Sequence, residues 1–126
     1  MQTIHTDKAP AALGPYAQAI EAGGVVYTSG QLGMVPDTGA LANGLACQTV
    51  QALENLTSVL KAAGLGLENV VKTTCFLQHM DDFSLFNEIY AQYFTDSKPA
   101  RSCVEVARLP KGALVEIEAV AVKDRF

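Results

Sequence analysis

Pro99-Ala100-Arg101-Ser102-Cys103-Val104-Glu105-Val106 and, one turn later, Leu114-Val115-Glu116-Ile117-Glu118-Ala119-Val120-Ala121-Val122 set the architecture. Both read as extended, apolar chain, strands over about 102–107 and 114–122, with Leu109-Pro110-Lys111-Gly112 turning one back toward the other. Side chains alternate across a strand, so parity assigns faces. Val104 and Val106 share one face, as do Val115 and Ile117, and both pairs suit a position under helices. The opposite face then carries Cys103, Glu105, Glu116, Glu118, Val120 and Val122, with Arg101 at its lip.

Working outward, 70–77 (Val70-Val71-Lys72-Thr73-Thr74-Cys75-Phe76-Leu77) is a third strand rich in β-branched residues. Residues 17–22 and 25–32 form a hairpin around Gly23-Gly24. Residues 1–16 read as irregular. Helical spacing of Ala46, Val50, Leu53, Leu56, Leu60 and Ala63 marks a helix over 45–63, with Asn43 as a possible cap and Gly64 as the stop. A second helix runs from Asp81 or Asp82 to about Phe94, with Phe83, Phe86, Ile89, Tyr90, Tyr93 and Phe94 at core spacing. The order β-β-α-β-α-β-β describes one α+β domain over 1–126, a mixed sheet with two helices packed on one face.

Two helices cover one side of such a sheet and leave the other wet. Each large apolar side chain left there forgoes about 1.5–3 kcal/mol. Self-association through the face of Val120 and Val122 is the simplest remedy, so a homo-oligomer is expected.

Composition narrows the function classes. A 126-residue chain with 49% hydrophobic residues suits one core. The net charge of -4 and the absence of Trp argue against a nucleic-acid partner held by bulk electrostatics or base stacking. Cys47, Cys75 and Cys103 are widely spaced and odd in number, which fits free thiols in a cytoplasmic setting. No signal-peptide pattern opens the chain, and no apolar run suits a bilayer.

Arg101 is the first candidate for chemistry. A guanidinium at a strand mouth can hold a planar anion by two parallel hydrogen bonds, or it can sit in a surface ion pair. Parity places Glu116 on the same side, where it could orient or deprotonate a nucleophile, or simply pair with the arginine. Cys103 could have a lowered thiol pKa beside Arg101, yet no histidine neighbours it in sequence, and the bland reading is a small residue in a packed strand. Ser29 lacks a nucleophile elbow. Gly30 permits a close approach of another group or marks a strand bulge. Two His and three scattered Cys have no metal-ligand spacing, and no phosphate-binding loop is present, so neither metal nor cofactor is expected.

Gly14-Pro15-Tyr16-Ala17-Gln18-Ala19, Thr28-Ser29-Gly30-Gln31, the run from Pro99 through Val106 to Ala107-Arg108-Leu109-Pro110, and Val115-Glu116-Ile117-Glu118-Ala119 occur in that order. Together they resemble the RidA/YjgF (reactive intermediate deaminase) family over nearly the whole chain. The resemblance implies a chorismate-mutase-like fold and a homotrimer with clefts between subunits. It implies hydrolysis of enamine and imine intermediates, such as 2-aminoacrylate and 2-iminobutanoate, to 2-oxo acids and ammonia, without cofactor. Arg101 would then bind the substrate carboxylate, and Tyr16, Ser29, Gly30, Asn87, Cys103 and Glu116 would line or order the cleft. Tyr16 and Asn87 are promoted by the resemblance alone. One departure is the loop Asp96-Ser97-Lys98, shorter than the family's usual connector, which bears on the cleft rim. The other functions open at this point are a 2-oxo acid sensor and an endoribonuclease that inhibits translation.

Overall fold

The structure, a computed structural model, describes residues 1–123. The expected domain of 1–126 therefore includes three residues outside the described ones. β1 (Gln2–Ile4), β2 (Ala19–Ala22) and β3 (Val25–Thr28) make an antiparallel ribbon. Gly23 and Gly24 turn β2 into β3 with φ of 59° and 80°, the paired left-handed conformation a two-residue hairpin requires. β4 (Gln31–Leu32) precedes α1 (Gly44–Ala62), β5 (Val70–Leu77), α2 (Phe83–Tyr93), β6 (Ala100–Glu105) and β7 (Val115–Val122). The sheet order is β1-β2-β3-β7-β5-β6, with β4 also on β7. β6 runs parallel to β5 after the α2 crossover, and the other pairings are antiparallel. This is the α+β architecture expected, a mixed sheet carrying two helices.

β1 was not expected. Only Ile4 of its three residues is buried, so no alternation marks it. The long return strand expected over 25–32 is broken instead. β3 pairs the end of β7 and β4 pairs Glu116 and Ile117, so Ser29 and Gly30 stand opposite Glu118 as a bulge. Thr28 bridges the break, its Oγ1 accepting a hydrogen bond from the Ala119 amide at 3.0 Å.

The main core lies between the sheet and the helices, with Leu53, Leu56, Val59, Leu60, Leu77, Phe86, Val115 and Ile117 buried. The α1 stripe differs from the one expected. Val50 is exposed, and Gln48, Thr49 and Asn55 are buried. These polar groups are satisfied: Asn55 Nδ2 donates to the carbonyls of Leu32 and Met34, and Gln48 Oε1 accepts from the Leu114 amide. They tie the irregular end of the sheet to the helix, a role apolar periodicity does not register. Gly64 (φ 79°) stops α1, with the Leu65 amide donating back to the Leu60 carbonyl. Asn43 stands at the cap position without a side-chain hydrogen bond.

Register corrects the parity assigned to β6. Arg101, Cys103 and Glu105 pair with Thr73, Cys75 and Leu77, all buried on the helix side. Val104 pairs with Phe76 on the other side and is 43% exposed, and Val106 joins a small cluster around Leu32, Met34, Leu109 and Ala113. Val104 and Val106 therefore do not lie under the helices with Val115 and Ile117. β6 is an edge strand whose bare face is the more apolar one, so its contrast in hydropathy points to the wrong side. On that bare face, Val120 and Val122 are half-buried and Tyr27, opposite Val120, is 51% exposed.

Candidate functional site

Arg101 enters from the first turn of β6 and lies against α2. Its Nη1 donates to Asn87 Oδ1 at 2.6 Å. Its guanidinium carbon lies 4.8 Å from the Tyr90 ring centroid and 5.5 Å from that of Phe83. Phe83, Asn87 and Tyr90 recur at i, i+4 and i+7 and so share one helix face. Tyr90 is anchored in turn, its hydroxyl 2.8 Å from Thr73 Oγ1. Among the described residues Arg101 has no carboxylate partner and no other side-chain or backbone acceptor. The surface-ion-pair reading of Arg101 is thereby set aside. Asn87, Tyr90, Phe94, Lys98, Pro99 and Arg101 line an open cleft of roughly 420 Å³. Lys98, from the loop before β6, stands on its rim and donates from Nζ to the Thr95 carbonyl at 2.8 Å.

Glu116 lies across the sheet from this cleft. It pairs with Phe76 on the face without helices, so Arg101 and Glu116 do not share a side as parity suggested. The carboxylate rests against the bulge: a Cβ built on Gly30 would stand 2.5 Å from Glu116 Oε2 and 2.7 Å from Cδ. Gly30 is thus both a bulge residue and a position where only hydrogen fits beneath the carboxylate. Burial pushes the Glu116 pKa up, and the neighbouring Glu118 carboxylate adds to the rise. Glu116, Gly30, Tyr16, Gln31, Leu32 and Pro110 help line a second cleft of roughly 260 Å³. Tyr16 is half-exposed there, its hydroxyl accepting from the Leu13 amide at 3.0 Å. Ser29 Oγ donates to the Ala17 carbonyl at 2.6 Å, which holds the bulge in place.

Cys103 is on the Arg101 side and packs against the main core. Burial raises its thiol pKa, and the opposing pull of Arg101 is the smaller effect, so the lowered pKa expected beside the arginine is not found. Burial drives Cys75 further, to about 12. The candidates therefore divide in two. Arg101, Asn87 and Cys103 form one group on the helix face, and Tyr16, Gly30 and Glu116 form another on the far face, with Ser29 at the bulge between Thr28 and Gly30. Among the described residues no three His, Cys, Asp or Glu gather as a metal site, and no helix is long and apolar enough to cross a membrane.

The protein-family profile described as Endoribonuclease L-PSP matches residues 6–123. The chain belongs to the RidA/YjgF family. It is 49% identical over 125 residues to the 2-iminobutanoate/2-iminopropanoate deaminase of Salmonella typhimurium, covering 97% of this chain and 98% of that one. The YjgF gene product of E. coli superposes with a TM-score of 0.95 at 45% identity, over 98% of this chain and all of the other. E. coli TdcF with bound serine gives the same TM-score at 42% identity, again over 98% and 100% of the two chains. The YjgF-like fold that the sequence resemblance implied is therefore the fold of this chain.

Reading the residues alone missed Asn87, Tyr90 and Thr73 as parts of the arginine site. Tyr90 was assigned to the core by spacing, and it is indeed buried. The available signal was Asn87, a polar residue set inside the aromatic stripe of α2.

Proposed function

We propose that the protein hydrolyses small enamine and imine acids to 2-oxo acids and ammonia. The observation that carries this reading is Arg101, braced by Asn87, Tyr90 and Phe83 and left without a carboxylate of its own. Such a fork holds an α-carboxylate side-on and fixes the adjacent imine carbon. Near-50% identity to a deaminase of 2-iminobutanoate and 2-iminopropanoate supports that substrate class, and serine bound to TdcF supports an amino-acid-sized ligand.

The site is completed between copies of the chain. Arg101 and Glu116 occupy opposite faces, so one copy supplies the carboxylate clamp and a neighbour supplies Glu116, Gly30 and Tyr16. The half-exposed apolar face of Tyr27, Val104 and Val120 is the surface that brings them together, in a homotrimer.

In the reaction the enamine first tautomerises to the imine. Glu116 takes a proton from a water as the water oxygen bonds to the imine carbon, and the C=N π electrons move to nitrogen, which takes up a proton. In the collapse of the tetrahedral intermediate the amine takes the proton that Glu116 holds and the hydroxyl gives up its own, so the 2-oxo C=O forms, the C–N bond breaks and ammonia leaves. The raised pKa of Glu116 brings it toward the range where one group both accepts and returns a proton. Cys103, with its thiol held protonated by burial, contributes its backbone and not a nucleophilic sulfur. Three free thiols support a reducing, cytoplasmic setting.

The test generates an imino acid with an amino-acid oxidase and traps it with semicarbazide. Wild-type protein lowers the yield of trapped product and Arg101→Ala does not. Equal trapping with both removes the deaminase reading.

A further inference from the structure

We infer that Tyr90 and Thr73 are positioning residues for the substrate carboxylate, acting through the Arg101 guanidinium. This rests on the imine-hydrolysis reading and names residues beyond those that bear on substrate directly.

Thr73 and Tyr90 form a buried polar pair. Thr73 is 0% exposed and Tyr90 is 8% exposed, yet their hydroxyls meet at 2.8 Å inside an otherwise apolar layer. A valine and a phenylalanine would fill the same space without burying two oxygens. The hydrogen bond does what that apolar pair would not: it pins the tip of the Tyr90 ring, and with it the ring's tilt and its place along the helix. That ring is the floor of the guanidinium, 4.8 Å beneath it. Phe86 and Phe94, at 5.6 Å and 4.7 Å between centroids, hold the ring from either side along α2. Thr73 is also the β5 residue paired with Arg101, so one strand register sets the anchor and the arginine together.

The consequence is directional. Asn87 Oδ1 takes Nη1 and the Tyr90 ring takes one face. Among the described residues the donors on Nε and Nη2 have no partner. A carboxylate therefore meets the Nε–Nη2 edge, where two parallel N–H groups fit its two oxygens. Tilting the ring turns that edge away from the imine carbon's place without removing any charge.

The experiment compares Tyr90→Phe, Thr73→Val, the double variant Thr73→Val/Tyr90→Phe and Tyr90→Leu in the semicarbazide-competition assay, with thermal unfolding in parallel. Tyr90→Phe leaves the Thr73 hydroxyl buried without a partner, so Tm falls, and the double variant removes both oxygens and recovers Tm. KM is expected to rise about threefold in Tyr90→Phe and in the double variant, with kcat unchanged, because the ring stays and only its anchor is lost. Tyr90→Leu, which removes the ring, raises KM about tenfold. If KM in the double variant returns to the wild-type value together with Tm, the pair is structural and the inference fails. It also fails if Tyr90→Leu lowers kcat at constant KM. Wild-type protein without any effect on trapping overturns the deaminase reading instead, which keeps the two failures apart.

Discussion

Arg101 and Glu116 project from opposite faces of one sheet, Arg101 toward α2 and Glu116 away from both helices. In a single copy of the chain the proposed anion clamp and the proposed acid–base group therefore lie on opposite sides of the sheet, where they cannot address one small substrate together.

Arg101→Ala should lower kcat/KM about 100-fold, the loss expected for a charge-assisted bidentate contact. Arg101→Lys should stay within about tenfold of the alanine variant, since an ammonium has neither the planar fork nor the stacking face used against Tyr90. Circular dichroism and sedimentation should match wild type. Full activity in the lysine variant would show that charge alone suffices.

Glu116 gives a pH dependence with a definite sign. Burial raises its folded pKa above the unfolded value, so the folded state binds the proton more tightly. The stability from this group is full below the ordinary carboxylate pKa and is lost as pH rises through the raised folded value. Glu116→Gln should flatten that fall in denaturant titrations while lowering kcat about 100-fold. The acid limb of wild-type kcat/KM should lie above the usual glutamate range and vanish in the variant. An unshifted limb would contradict the assignment of Glu116 as the base.

Gly30→Ala separates the bulge from the carboxylate. Its φ is not in the left-handed region, so the added methyl meets Glu116 and not backbone strain. The carboxylate must swing aside, and kcat should fall by about tenfold or more with little change in Tm. A variant with wild-type kcat would show that the carboxylate's resting place is irrelevant to turnover.

Cys103→Ala should keep most of the activity, because burial holds the thiol protonated and the proposed chemistry needs no sulfur nucleophile. Loss of activity comparable to Arg101→Ala would reverse that. In a nuclease-free preparation the wild-type chain, with net charge -4, should leave messenger RNA intact. Cleavage abolished by Arg101→Ala would support the ribonuclease function that the family description carries.

Much of this architecture is legible in the sequence. β5 was expected at 70–77 and occupies Val70–Leu77, because a central strand buried against α1 and α2 must be β-branched and apolar. The Gly23-Gly24 hairpin and the Gly64 stop were legible because each needs a positive φ that glycine supplies. The faces of β6 were not legible. Its charged residues Arg101 and Glu105 lie on the helix side and Val104 on the bare side, so the contrast in hydropathy misleads and only the register with Thr73, Cys75 and Leu77 shows where Arg101 points. Tyr90 was hidden for a related reason: a buried aromatic under a cation looks, in sequence, like any other core residue.

The bare face makes its own prediction. Val104→Asp and Val120→Asp should drive the protein to a monomer of 13.4 kDa, and activity should fall with the assembly. Wild type should sediment at three times that mass, and monomeric wild-type protein at micromolar concentration would end the inter-subunit account.

The most direct test mixes two inactive proteins. Arg101→Ala and Glu116→Gln are unfolded together in equal amounts, refolded, and assayed by semicarbazide competition. If each cleft takes Arg101 from one copy and Glu116 from its neighbour, random assembly restores about a quarter of wild-type activity. If the mixture stays as inactive as its components, the two residues do not meet across subunits and the site proposed here does not exist.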